Sequence, residues 1–250
     1  MIRFEHVSCG YGKGEQALCD VSFTIRDGEQ VGLLGANGAG KSTLMKAMLG
    51  LLPVEGKIYI DELAVCPDNL PEVRRRLGYV LQDSDNQMFM PTVYEDMIFG
   101  PLNYGKSREE AEKQAERALG ELGLLHLKHR PNYRMSGGEK RLAAIATILA
   151  MEPEVMLMDE PSTALDPANR RRLIQILQKL PVTKLIATHD LDLVLETCDR
   201  VLILDGGGLA ADGPAAELLR DQELLEAHHL ELPFCLAGVP ERERDGKNKK

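Results

Sequence analysis

Apolar and polar residues alternate from the first residues of the chain. Ile2, Phe4 and Val7 predict one strand, and Val21, Phe23 and Ile25 predict a second. Asp27-Gly28-Glu29 reads as a turn. Gln30 to Leu34 is a short apolar run that feeds into Gly35-Ala36-Asn37-Gly38-Ala39-Gly40. A helix is expected from about Lys41 to Gly50, where glycine is a natural stop. Residues 56–82 are expected to form further short strands, ending at Tyr79-Val80-Leu81-Gln82.

The texture changes over 83–134. Ser107 followed by Glu110 has the form of a capping box, and 108–123 carries alanines, leucines and charges at helical spacing. This stretch is expected to be a helical lobe inserted into a strand-rich core made of 1–82 and 135–240. Beyond it the pattern predicts helix 137–151, buried strand 154–159, helix 168–180, strand 184–188, helix 190–197, strand 200–204 and a late helix at 214–227. Such alternation predicts an α/β fold with a largely parallel sheet. The charged residues 241–250 are expected to be a frayed tail.

Composition narrows the function classes. No apolar run reaches the roughly 18 residues of a membrane span, and Met1 to Glu5 lacks the design of a signal peptide. The expected location is therefore cytoplasmic, unless a partner holds the chain at a membrane. A net charge of −9 and the absence of tryptophan give no support to nucleic-acid binding. Cys9, Cys19, Cys66, Cys198 and Cys235 show no CxxC spacing and are expected to be buried, non-catalytic side chains. His228 and His229 are adjacent, so on a helix they point about 100° apart and do not face a common metal.

Two segments carry chemistry. Gly35-x-x-x-x-Gly40-Lys41-Ser42 has the spacing of a phosphate loop, flanked by a strand before and a helix after. Its glycines let successive N–H groups converge on an anion, and the next helix adds its positive end. Lys41 is expected to bring charge to the β/γ-phosphates, and the Ser42 hydroxyl can ligate Mg²⁺; Thr43 follows in the same turn. Val155 to Met158 is an apolar strand ending in Asp159-Glu160. Strand ends of this kind border ligand sites in α/β sheets. Asp159 is expected to hold Mg²⁺, and Glu160 to polarise an attacking water.

Met135-Ser136-Gly137-Gly138-Glu139-Lys140-Arg141 resembles the signature of the ABC ATPases, usually written LSGGQ, with Met for Leu and Glu for Gln. Ser136 can cap the following helix and leave its N-terminus for an anion. The resemblance implies a P-loop ATPase core with an N-terminal antiparallel β subdomain and an inserted helical lobe, working as a dimer with itself or a paralogous ATPase. It implies ATP and Mg²⁺ as cofactors. It further implies that Tyr11 stacks on adenine, Gln82 meets Mg²⁺, Ser136, Gly137 and Gly138 bind the other chain's nucleotide, Asp166 lies in an interface loop, and His189 touches the γ-phosphate.

Asp83 to Phe89, Pro91-Thr92-Val93 and Asp96 to Asn103 resemble the energy-coupling-factor ATPases of micronutrient importers. Leu230 to Leu236 resembles their cobalt/nickel members. That implies an integral-membrane coupling subunit, a substrate-binding membrane component and a place on the cytoplasmic face of the membrane. The alternatives are the same role in a vitamin importer, or a non-transport ABC ATPase; one phosphate loop and no long basic insertion disfavour the second.

Overall fold

The computed structural model describes residues 1–12 and 15–238. The tail expected at 241–250 therefore lies outside the described residues. The chain opens with β1 (Ile2–Gly12), β2 (Glu15–Ile25) and β3 (Gln30–Leu34), followed by α1 (Lys41–Met48). Next come β4 (Val54–Ile60), β5 (Leu63–Ala64), α2 (Leu70–Arg76) and β6 (Leu77–Val80). The helices α3 (Val93–Asn103) and α4 (Arg108–Glu121) fill the inserted stretch. After it run α5 (Gly137–Leu149), β7 (Val155–Asp159), α6 (Pro167–Lys179), β8 (Thr183–Ala187), α7 (Leu191–Thr197), β9 (Arg200–Asp205) and β10 (Gly208–Pro214). Two short helices close the description, α8 (Ala215–Leu218) and α9 (Gln222–Ala227).

The strands make two sheets. One has the order β2-β1-β4-β5 and is antiparallel. The other has the order β10-β9-β3-β8-β7-β6 and is parallel except for β10. The parallel strands are buried on both faces, which is why they read as apolar runs rather than alternations. Val155 and Leu157 of β7 join the core under the antiparallel sheet and α1, whereas Met156 and Met158 join the core under α5 to α7. The second core continues into the inserted helices through Val93, Met97, Ala111, Ala115 and Leu119. Asp96 secures that region: it is buried and accepts from the backbone N–H of Phe89 (3.2 Å) and Met90 (3.0 Å) and from Asn132 Nδ2.

Three expectations need correction. Residues 70–76 are helix, not strand. Only Val73 of α2 is buried, so no helical apolar stripe was there to read, although Pro71 in the first turn is a start signal. The late helix at 214–227 is two, because Leu219 ends the first and Asp221 caps the second, accepting from Leu224 N–H at 3.0 Å. Of the cysteines, only Cys9 and Cys198 are buried; Cys19 and Cys66 are half-buried and Cys235 is exposed.

Candidate nucleotide site

Adjacent parallel strands end at the same edge of a sheet, so the loops that follow them are neighbours. Here β3, β8, β7 and β6 lie side by side. At or just past their ends stand, in that order, the glycine loop, His189, Asp159-Glu160 and Gln82. The result is one open cleft of about 410 Å³. It is lined by Tyr11, Asn37, Gly38, Ala39, Gly40, Lys41, Ser42, Thr43, Gln82, Asp159, Glu160 and His189, together with Ala17 and Thr163.

The loop needs its glycines for steric reasons. Gly35 has φ +147° and Gly40 φ +106°, and a Cβ at either would stand 2.3 Å from Leu204 O or 2.6 Å from Ala17 O. Gly40 is also the N-cap of α1, so the helix's first N–H groups face the cleft. Lys41 is buried and donates to Gly35 O (2.6 Å) and Ala36 O (3.1 Å), with His189 Nε2 at 3.4 Å. Burial lowers the Lys41 pKa, opposed by the nearby charges of Glu160 and Asp159. Asn37 Oδ1 lies 3.0 Å from His189 Nε2, which ties the loop to the end of β8.

The two acids differ in setting. Asp159 is buried and accepts from the Tyr79 hydroxyl at 3.2 Å. Burial, followed by the Asp159 charge, pushes the Tyr79 phenol well above its ordinary range, so it stays a donor. Glu160 is also buried and holds a left-handed backbone, φ 49°, which is uncommon for a side chain of its size. Its Oε2 accepts from Thr188 Oγ1 (3.1 Å) and His189 N–H (3.3 Å). Its Oε1 is buried and accepts no hydrogen bond among the described residues, with His189 Nε2 at 3.5 Å. That leaves one acceptor without a hydrogen-bond partner on a residue that lines the cleft. Tyr11 is exposed at the rim, its hydroxyl 3.1 Å from Thr43 Oγ1.

Six expected residues do not line this cleft: Gly35 and Ala36, whose carbonyls accept from Lys41, and four that lie elsewhere. Ser136, Gly137 and Gly138 begin α5, where Ser136 accepts from Glu139 N–H at 3.3 Å and Glu139 accepts from Ser136 N–H at 2.8 Å. The Glu found where the family has Gln thus completes a capping box. That backbone hydrogen bond holds its carboxyl below the usual range. Asp166 caps α6, accepting from the N–H of Ala168 and Asn169, each at 2.9 Å.

Sequence reasoning missed several supports. Arg170 makes a two-point pair with Asp190, both contacts 2.6 Å, and Asp190 caps α7. Asp190 N–H in turn donates to Thr188 Oγ1, the group that donates to Glu160. Arg-Asp spacing across two helices leaves no local mark in a sequence. Ala17, which only lines the cleft, leaves none either.

The family pattern described as "ABC transporter" matches residues 18–163. This chain belongs to the ABC transporter ATP-binding proteins. The ABC ATPase is 47% identical over 231 residues to the ABC transporter ATP-binding protein GSU1281 of Geobacter sulfurreducens, spanning 92% of this chain and 93% of that one. It is 40% identical over 239 residues to the energy-coupling factor transporter ATP-binding protein EcfA of Methanothermobacter thermautotrophicus, spanning 93% and 77% of the two chains. Among solved structures it superposes on cbiO1 of Clostridium perfringens, part of the ABC transporter complex cbiONQ, with TM-score 0.81 and 35% identity over 93% of this chain and 95% of that one. It also superposes on the dimeric cassette MJ0796 bound to ADP and Pi, with TM-score 0.78 and 30% identity over 86% and 99%. The ABC ATPase is thus an ATP-hydrolysing transporter subunit with an α/β P-loop cassette fold. No helix among the described residues is long and apolar enough to cross a membrane.

Proposed function

We propose that this subunit powers an energy-coupling-factor importer for cobalt or nickel ions, hydrolysing ATP between two copies or between itself and a paralogous ATPase. The observation that carries the ATPase part is the convergence of four strand-end loops on one cleft, with Ser136-Gly137-Gly138 outside it. A helix start built to meet an anion, yet away from its own phosphate loop, fits a head-to-tail partner whose nucleotide it covers.

In this reading Tyr11 stacks on adenine, and the N–H groups from Gly35 to Thr43, with the Lys41 ammonium, hold the phosphates. Ser42, Gln82 and Asp159 would hold Mg²⁺: all three offer hard oxygens within one cleft, the donor type this ion takes. When bound, Mg²⁺ would neutralise phosphate charge there. Glu160 orients water and draws its proton as the water oxygen bonds to the γ-phosphorus. The bond to the β–γ bridging oxygen breaks, giving ADP and phosphate. His189 and Lys41 meet the charge on the γ-oxygens. The core, 1–82 and 135–240, then parts from its partner, and the lobe at 83–134 carries the motion to a membrane coupling subunit on the cytoplasmic face.

The same reading gives a binding prediction. Lys41→Ala should weaken ATP by about 10- to 100-fold, the size of one or two charge-assisted hydrogen bonds, and lower turnover further. Equilibrium binding of a fluorescent ATP analogue, beside a phosphate-release assay, measures both. Parent affinity with parent turnover would remove the phosphate-loop assignment.

The substrate rests on residues 83–103 and 230–236, and on the likeness to EcfA and cbiO1. Cells lacking this subunit should accumulate less cobalt or nickel from trace supply, measured by elemental analysis. Normal uptake of both metals beside a vitamin-uptake defect would replace this reading with the vitamin importer.

A further inference from the structure

Arg141 lies one turn into α5 and is 2% exposed. A guanidinium has five N–H donors in a rigid planar fork. All five are used here, each on a backbone carbonyl. Nη1 donates to Leu81 O and to Gln82 O (3.1 Å), Nη2 to Asp159 O (2.8 Å) and Glu160 O (2.6 Å), and Nε to Pro161 O (3.1 Å). Burial lowers its pKa to about 10, opposed by the charges of Asp159, Glu160 and Asp83, so at neutral pH it remains a cation.

The acceptors fall where the sheet stops. β6 and β7 pair from Leu77↔Val155 to Val80↔Met158, and the ladder goes no further. Leu81 and Gln82 on one side, and Glu160 and Pro161 on the other, lie beyond it. Glu160 N–H still bonds Ala187 O at 2.8 Å, but no strand pairing sets Gln82 against Glu160. The Arg141 fork spans that gap.

We propose that Arg141 is a positioning residue for ATP hydrolysis, fixing the Gln82 and Glu160 loops in one frame and tying both to the helix that begins at Ser136. Arg141 reaches no phosphate of its own cleft and acts through Glu160 and Gln82. A buried cation satisfied only by carbonyls is costly to desolvate, and an apolar side chain would fill the same space more cheaply. What the fork adds is geometry. Five carbonyls must meet one rigid fork at hydrogen-bond distance, and three of them belong to residues that line the cleft, Gln82, Asp159 and Glu160. Lysine has three donors on a flexible stem, so it keeps the charge and loses the plane. Because α5 also carries the anion-binding start at Ser136, a shift of either strand end is passed to the surface that faces the partner's nucleotide.

The proposal rests on Glu160 as the group that orients water, and a double-mutant cycle separates the two claims. Glu160→Gln, Arg141→Lys and the combined variant are compared in the full chain for turnover, ATP affinity and thermal unfolding. Arg141→Met serves as a second, uncharged replacement, and turnover is normalised to the folded fraction. Misplacing a catalytic group by about 1 Å can cost on the order of 10²-fold. Arg141→Lys should therefore lower turnover by about 10- to 100-fold, with ATP affinity within about threefold of the parent. In the Glu160→Gln background the same change should lower the residual rate by less than about threefold, because groups acting as a unit are not additive. Equal fold losses in both backgrounds, or unchanged turnover per folded molecule, would overturn the proposal while leaving Glu160 intact. Parent-rate turnover by Glu160→Gln alone would overturn the reading beneath it, and this proposal with it.

Discussion

Glu160→Gln is expected to lower ATP turnover by about 10² to 10⁴, the usual worth of general-base help, while nucleotide binding persists. The two oxygens of Glu160 have different surroundings. Oε2 accepts from Thr188 Oγ1 and His189 N–H, two donors that fix it. In the amide, the carbonyl oxygen should take that place, since the NH₂ would face donors there. The NH₂ then occupies the position of Oε1, the atom that accepts no hydrogen bond among the described residues. A donor now stands where an acceptor should draw a proton from water. Shape is kept, and the glycine loop, Lys41 and Tyr11 are unchanged, so binding survives. Loss of the carboxylate also removes its repulsion with the triphosphate, so the bound state should last longer. The checks are a phosphate-release assay and ATP retention. Turnover at the parent rate would show that another group activates the water.

Gly137→Asp is expected to abolish ATP-driven pairing of two copies without harming the single chain. A Cβ at Gly137 meets nothing within 4 Å, and its φ is not in the left-handed range, so the substitution fits the fold. Aspartate in the first turn of α5 also favours the helix dipole, worth about 0.3–1 kcal/mol. Thermal unfolding should therefore be equal or slightly raised. In a head-to-tail pair the same carboxylate would face the partner's γ-phosphate across excluded water, where like charges repel strongly. Gly138 would be a poorer test, because a Cβ there stands 2.6 Å from Asn169 Nδ2 in the same chain. A destabilised monomer, or pairing that persists, would count against the arrangement.

What could be read in advance follows from where each signal resides. β3, the glycine loop and α1 are contiguous, and their steric needs are written in Gly35, Gly40 and Lys41, so strand, loop and helix were all legible. β7 was legible because all five of its residues are buried, which makes it an apolar run ending in acids. α2 was not, since Val73 is its one buried side chain and its arginines look like any solvated run. β10 was missed for a related reason: none of its residues is buried, and only Gly206-Gly207 before it hinted at a hairpin. The supports of the site were the least legible. Arg141 ends the signature-like segment without any role read for it, and its partners are carbonyls, which every residue has. Asp166 shows the converse. Its resemblance pointed to an interface loop, and within the single chain its carboxylate caps α6.

The central claim is that two chains close on ATP, each covering the other's phosphate loop with Ser136-Gly137-Gly138. Light scattering behind size exclusion tests it, using Glu160→Gln alone and Glu160→Gln with Gly137→Asp, both with ATP and Mg²⁺. The first should elute with the mass of two chains and revert to one when ATP is withdrawn. The second should keep the mass of one chain while still binding ATP. A two-chain mass for both would contradict the claim, and a single-chain mass for both would exclude pairing of two copies of this chain.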